Sequence, residues 1–240
     1  MEKPISRRHF LLLSSLLTVS FPYRHAFAAA ALQKDTDSKT LYSDTIEVLR
    51  EAYISEMAAN KHYIGFCQKA LDEKYPNIAY IFLAFSKSEK IHADNYERIL
   101  GSLESRPDAP LIRLLILDTR ANLRNAAEKE LIKIDETYPR FLERLEPQMH
   151  EETFINCMYA WKSHRQHEEK IKEIQKYSKY FFSSVAEELE EMEMDLHVCG
   201  ICGATIDVEP EIACEICNYP INHYLKIERP FRTSSIKGKM

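Results

Sequence analysis

From Asp44 to Leu71 the apolar residues Ile46, Leu49, Tyr53, Met57, Tyr63 and Phe66 recur at the spacing of one helical face. Pro76 suits the first turn of a second helix, which carries Ile81, Phe85, Glu89, His92 and Tyr96 and stops near Gly101. The stretch Ser105-Arg-Pro-Asp-Ala-Pro110 is a breaker. Beyond it the pattern predicts a third helix from Leu111 to Thr137, ended by Tyr138-Pro139, and then a short helical piece. Pro147 opens the approach to a last long helix, His150 to Glu193. No part of this region alternates with the two-residue period of a strand. The expected fold class is therefore all-α, a four-helix bundle over residues 41–193. A small module of loops and short strands follows over 194–240, with arms at His197–Thr205 and Glu209–Asn222.

The first residues follow a different pattern. Ser6-Arg7-Arg8-His9-Phe10-Leu11 leads into an apolar run through Leu17, and Ala26-Phe27-Ala28 offers a small-residue cleavage site. The run is too short for a membrane span and lacks a stop-transfer flank, so residues 1–28 read as an export signal of the twin-arginine type. The alternatives are a basic amphipathic terminus or a retained anchor. Residues 29–40 form a linker. The expected location is periplasmic, or otherwise exported, with no stable membrane span after cleavage. Removal of Lys3, Arg7, Arg8 and Arg24 with Glu2 moves the formal charge from −5 to about −8. An acidic chain without a basic tract argues against a nucleic-acid partner. Only five glycines in the chain disfavour a nucleotide-binding α/β fold.

Cys199-Gly-Ile-Cys202 and Cys214-Glu-Ile-Cys217 are two CxxC pairs separated by eleven residues. Four thiolates so spaced fit one tetrahedral iron or zinc ion, and that ion supplies folding energy a short module cannot draw from a core. Two disulfides are the weaker alternative. Cys67 and Cys157 stand alone in helical surroundings and read as buried free thiols, although a disulfide between them is conceivable in an oxidising compartment.

The helices also carry ligand chemistry. Dinuclear iron and manganese bundles take one glutamate from each of two helices and a Glu-x-x-His pair from each of the others. Glu56 and Glu130 suit the single positions. Glu89 and His92 share one helical face and form a Glu-x-x-His pair. On the last helix His164-Arg-Gln-His167 keeps the spacing but replaces the acid with an imidazole. An isolated Glu89/His92 pair would more often be a solvated face, and four helices each presenting a ligand reverse that balance. Tyr63 and Tyr138 read as groups beside the metals or as core tyrosines. His62 and His150 read as surface residues, and the acidic run Glu187–Glu193 as a charged face.

These segments resemble the rubrerythrin family over essentially the whole chain after the signal. Glu56-Met-Ala-Ala59-Asn-Lys-His62-Tyr63 resembles E-x-x-A-x-x-x-Y, and Ala84 through Glu89 to His92-Ala93 resembles A-x-x-x-x-E-x-x-H-A. Asn122-Leu123 to Ala126, then Glu130 and Tyr138-Pro139, is similar to the family's third helix, and His167-Glu168-Glu169 to its fourth. The resemblance implies a ferritin-like bundle with a di-iron centre, Glu89 bridging, and a rubredoxin-like domain holding a single iron, with zinc possible. It implies reduction of hydrogen peroxide to water with electrons from an external carrier, still to be identified. It also implies a homodimer in which one subunit's thiolate iron approaches the partner's bundle. From the chemistry of the site itself, if two irons bind, Tyr63 and Tyr138 would donate hydrogen bonds beside the metals or guard against radical damage, and the positive charge of Lys133, where the family has a glutamate, would steer peroxide.

Two positions depart from the family. A second glutamate of the third helix, implicated in redox-dependent ligand switching, is Lys133, and the bridging glutamate of the fourth is His164. Glu56, Glu89, His92, Glu130, His164 and His167 could still hold two metals. The alternatives are one metal, with Lys133 standing for the charge of the other, or none. Two function classes follow: a non-haem iron peroxidase, or a non-catalytic metal-binding or electron-transfer protein with a degenerate bundle site.

Overall fold

A computed structural model describes residues 41–109, 111–191, 193–207 and 212–231, with the backbone alone over 173–191. The export signal and linker of residues 1–40 lie outside the described residues, as does the start of the module's second arm. Among the described residues no helix is long and apolar enough to cross a membrane.

Four helical columns make the bundle. α1 (Ser43–Asp72) and α2 (Pro76–Ser102) form a hairpin. The turn between them is closed by Lys74 in the left-handed region (φ 66°) and by the Tyr75 N–H donating to the Ala70 carbonyl at 2.8 Å. The third column is composite: α3 (Thr119–Ile132), a π turn (Lys133–Thr137) and α4 (Tyr138–Leu145). α5 (Glu151–Glu191) is the fourth.

Two expectations need correction here. The third helix begins at Thr119, not Leu111, because Asp118 caps it: Asp118 Oδ1 accepts the Ala121 N–H at 2.8 Å, and Glu73 Oε2 accepts the Thr119 N–H at 2.8 Å. The preceding segment 111–117 has no regular secondary structure and exposes Leu111, Leu114, Leu115 and Leu117, so its apolar character marked no helix. Tyr138-Pro139 also does not end the column. The Tyr138 N–H bonds the Lys133 carbonyl in the wider π turn, and Pro139 then falls in the first turn of α4, where its missing N–H is not needed. His150 remains partly exposed, as expected of a surface residue, and accepts the Thr153 N–H at Nδ1 (3.3 Å), which caps α5.

Along each column the buried face changes from apolar to polar and back. Val48, Leu49, Ala52, Tyr96, Ile99, Tyr138, Phe141, Cys157 and Ala160 belong to one apolar cluster. Tyr63, Phe66, Ile78, Phe82, Phe85, Leu123, Ala126 and Ile171 belong to the other. On α1 the layer between them holds Glu56 and Asn60, on α2 Glu89 and His92, and on α5 Ser163, His164 and His167, all buried. Each fully buried apolar side chain contributes about 1.5–3 kcal/mol, and the two clusters offset the cost of enclosing that polar layer. Cys67 and Cys157 are buried free thiols, pushed up by burial to about 11 and about 12.

The module is a three-stranded antiparallel sheet, order β2-β1-β3, from β1 (His197–Cys199), β2 (Thr205–Ile206) and β3 (Tyr224–Lys226). Leu196, Val198 and Ile227 join the apolar cluster of α1 and α2. Tyr80 anchors them: its hydroxyl donates to the Ile227 carbonyl (2.6 Å) and accepts the Leu196 N–H (3.1 Å). The Arg229 guanidinium lies 4.8 Å above the Tyr80 ring.

Candidate metal centres

The two CxxC pairs close on one another because each sits in a tight knuckle. The Gly203 N–H donates to the Cys199 carbonyl (2.9 Å) and the Asn218 N–H to the Cys214 carbonyl (2.8 Å), with Gly203 and Asn218 both at positive φ. All four cysteines are buried and face one point. Cys199 and Cys217 sulfurs are 3.7 Å apart, and Cys202 and Cys214 sulfurs 3.5 Å. A tetrahedral ion with metal–sulfur bonds of about 2.3 Å has sulfur–sulfur edges of about 3.8 Å, whereas a disulfide would bring them to about 2 Å. Backbone N–H groups of Ala204, Cys217 and Tyr219 bond the sulfurs of Cys202, Cys214 and Cys217. The donor set fits a single iron or zinc ion.

In the bundle the predicted ligands also converge. Glu56, Glu89, His92 and His164 form one four-ligand cluster, and Glu89, Glu130, His164 and His167 a second, sharing Glu89 and His164. Glu89 Oε1, His164 Nε2 and His167 Nδ1 are buried without a hydrogen-bond partner. Such atoms are costly unless something charged completes them, so these residues fit divalent metal. The set comprises two candidate di-iron-type clusters beside a tetracysteine cluster.

Lys133 lies among these ligands. Its Nζ donates to Glu56 Oε2 at 2.5 Å and to Glu89 Oε2 at 3.3 Å. Burial lowers its pKa, but Glu56, Glu89 and Glu130 outweigh that and hold it above the ordinary ammonium range. Burial pushes the Glu89 carboxyl up, and Lys133 and His164 together bring it well below its usual range. Glu130 is likewise depressed against burial by His164. For His164, burial and Lys133 act downward, and the three carboxylates raise it to about 10.

The predicted tyrosines meet the same acids. The Tyr63 hydroxyl donates to Glu130 Oε1 and the Tyr138 hydroxyl to Glu56 Oε1 at 2.7 Å. Tyr96, absent from the sequence-based site, bonds Tyr138 at 2.9 Å. Its signal was its position four residues after His92, on the same face of α2. A cavity of about 470 Å³ between α1 and α3 is lined by the buried Tyr63, Glu130 and Lys133 together with His62 and Lys129.

The two centres meet directly. His92 Nε2–H donates to the Cys202 carbonyl at 3.0 Å, leaving Nδ1 toward Glu89. Ser88 and Ser163 hydroxyls donate to the Gly203 carbonyl at 2.6 and 3.0 Å, and Asn95 donates to the Ile201 carbonyl at 2.9 Å. Sequence alone did not single out Ser88, Asn95, Ser163 or Gly203. The resemblance implied a thiolate centre seated against a second subunit's bundle. Here the contact lies within one chain.

The sequence model described as Rubrerythrin matches residues 47–175, more than half the chain and all four columns of bundle ligands. The chain belongs to the rubrerythrin family. Rubrerythrin-2 of Clostridium acetobutylicum is 28% identical over 177 residues, covering 72% of this chain and 91% of that protein. Nigerythrin of Nitratidesulfovibrio vulgaris is 24% identical over 186 residues, covering 77% and 87%. The fully reduced, all-ferrous structure of nigerythrin superimposes with a TM-score of 0.65 at 22% identity, covering 76% of this chain and 86% of that one. A Desulfovibrio desulfuricans bacterioferritin structure gives 0.60 at 19% identity, covering 63% and 90%. The fold is thus a ferritin-like four-helix bundle followed by a small sheet with a rubredoxin-like knuckle.

Proposed function

We propose that this member of the rubrerythrin family is a non-haem iron peroxidase that reduces hydrogen peroxide at a di-iron site of the bundle. The carrying observation is the 3.0 Å hydrogen bond from His92 to the Cys202 carbonyl, which joins a bundle ligand to the backbone of a thiolate ligand. Hydrogen peroxide takes two electrons and two protons and leaves as two waters. Bound iron supplies the redox chemistry, one electron at a time at the thiolates and two in the bundle. The chain's own residues do the rest. The cavity admits a small polar solute to Lys133 and Tyr63, where the ammonium favours a partly anionic peroxide. The Tyr63 and Tyr138 hydroxyls keep their protons, donate them in hydrogen bonds to Glu130 and Glu56, and fix the orientation of those carboxylates. The apolar clusters on either side of the polar layer limit water there.

Anaerobically reduced, iron-loaded protein mixed rapidly with peroxide tests this reading. One peroxide consumed for two electrons, with the visible thiolate–iron absorption returning, is expected. Oxidation no faster than that of free ferrous iron would sink it. A second reading, a metal-binding or electron-transfer protein without peroxidase activity, is favoured by the Lys133 contacts with Glu56 and Glu89. It predicts that the thiolate iron cycles with added donors while peroxide is untouched.

The partners belong to the same proposal: an electron donor outside the chain and a second copy in a homodimer. Export through the Arg7-Arg8 signal to the periplasm is part of the same proposal, supported by the sequence pattern of residues 6–28. Retention of Arg7→Lys/Arg8→Lys protein inside the cell is the expected result, and unchanged fractionation would remove the claim.

A further inference from the structure

The two bundle clusters are not equivalent. In the Glu56 half both carboxylate oxygens already have donors: Oε2 takes the Lys133 ammonium and Oε1 the Tyr138 hydroxyl. The second oxygen partner of that ammonium is Glu89 Oε2, and His92 Nδ1 faces the same atom at 3.3 Å. A positive charge therefore already stands among Glu56, Glu89 and His92. Of the three unpartnered ligand atoms, Glu89 Oε1 and His167 Nδ1 lie 3.4 Å apart in the other half, with Glu130 Oε1 3.8 Å from the same nitrogen. His164 Nδ1 faces that half, 2.8 Å from Glu130 Oε2 and 3.6 Å from Glu89 Oε1. Its Nε2, the third unpartnered atom, faces Glu56 Oε1 at 3.4 Å. A neutral imidazole ligating through Nδ1 keeps its proton on Nε2, where Glu56 can receive it.

We propose that Lys133 is a built-in cation holding the place of the second metal, so that the bundle fills in sequence. A divalent ion enters the Glu89–Glu130–His164–His167 half first and tightly. A second ion reaches the Glu56–Glu89–His92 half only by displacing the Lys133 ammonium from two carboxylates. The inference rests on the bundle being the metal site that the peroxidase reading requires, and not on the peroxide chemistry itself. Breaking a buried ion pair sets the scale of the difference, so the second ion binds at least about 100-fold more weakly than the first. Lys133 lies on the π turn and lines the cavity. Its flexible stem gives the head a route of withdrawal along that cavity when the second ion enters.

The test is a titration of the full-length chain, its cysteine site filled with one equivalent of zinc, with Mn²⁺, a hard ion that prefers oxygen and nitrogen donors. Binding is followed by calorimetry and by electron paramagnetic resonance. Wild-type protein should take one tight Mn²⁺ with an uncoupled signal and a second only at roughly 100-fold higher concentration. Lys133→Met, similar in volume and uncharged, should draw the two steps together and yield a spin-coupled pair. Glu130→Gln should remove the tight step, and Glu56→Gln should leave it, which decides the matter if Lys133→Met does not fold. Two equal steps in the wild type, or an unchanged second step in Lys133→Met, would overturn the proposal whatever peroxide does. A stepwise wild type inert to peroxide would sink the peroxidase reading and leave this one standing.

Discussion

The knuckle and the bundle layer hold metal-ligand sets of opposite character. The knuckle uses one donor type, four thiolates within nineteen residues, positioned by two tight turns and bonded by neighbouring backbone N–H groups. The layer draws unlike donors from four columns and compensates them with Lys133, Tyr63, Tyr138 and Tyr96. A site built from contiguous backbone is complete once its ion is present. One built from distant helices must be chemically tolerable while the bundle folds, and a resident ammonium makes it so.

The largest effect expected from breaking this contrast is at the knuckle. Cys202→Ser removes one of four thiolates from a segment whose own sheet contributes strands of two or three residues. Structural metal binding of this type is worth about 10–16 kcal/mol, far beyond what Val198, Leu196 and Ile227 recover by burial. Metal content should fall by one per chain, and residues 194–231 should become sensitive to protease while the bundle's helical signal persists. A protease-resistant, metal-free module would show that docking to α2, not the ion, holds it.

Lys133→Met comes next, and its sign depends on metal. Without metal, Glu56 and Glu89 lose their buried cation, and removing one partner of such a pair costs about 3–5 kcal/mol. With metal bound the loss should shrink or reverse, because a divalent ion meets those carboxylates without an ammonium to displace. Denaturant melts of metal-free and metal-loaded protein check both. Equal stability of variant and wild type without metal would show that the histidines alone balance the acids.

Much of this was legible in the sequence, for physical reasons that differ by region. The knuckle was visible because its ligands are local in the chain. Glu89 and His92 were visible because one helical face relates them, and Glu56, Glu130 and His167 because the family resemblance aligns them. Lys133 was visible as a departure but its partners were not: pairing with Glu56 across 77 residues depends on the π turn, which no local pattern announced. The same turn hid the continuation past Pro139. Segment 111–117 misled because apolar content was read as helix while the stronger signal, Asp118 as a cap, lay just beyond it.

Gly203→Ala probes the seam between the two regions and should have a smaller effect. The residue sits at φ 79°, and an added Cβ would overlap the His92 ring and approach Ser88 Oγ at 2.8 Å. Strain of this kind costs about 1–3 kcal/mol. Thiolate absorption should be unchanged, because the four sulfurs keep their ion. If the knuckle feeds electrons to the bundle, as the proposed function has it, that transfer should slow as the His92–Cys202 contact opens. An unchanged transfer rate would move the electron route away from His92.

The smallest effect tests how far the layer's network extends. Tyr138 donates to the charged Glu56, and hydrogen bonds to charged groups are worth about 1.5–3 kcal/mol. Tyr96 reaches Glu56 only through Tyr138, so Tyr96→Phe removes bonds between neutral groups alone, to the Tyr138 hydroxyl and the Cys157 thiol, at about 0.5–1.5 kcal/mol for a typical neutral bond. Tyr138→Phe loses the Glu56 bond and the Tyr96 bond together. Thermal melts of metal-free Tyr96→Phe and Tyr138→Phe should therefore rank with Tyr138 the costlier, each retaining the ring that packs in the apolar cluster. Equal costs would mean that the Tyr96 hydroxyl polarises Tyr138 strongly enough for the two to act as one donor. In that case the layer's acids are held by a chain reaching into the core, and the contrast with the locally held knuckle is deeper than the ligand sets alone imply.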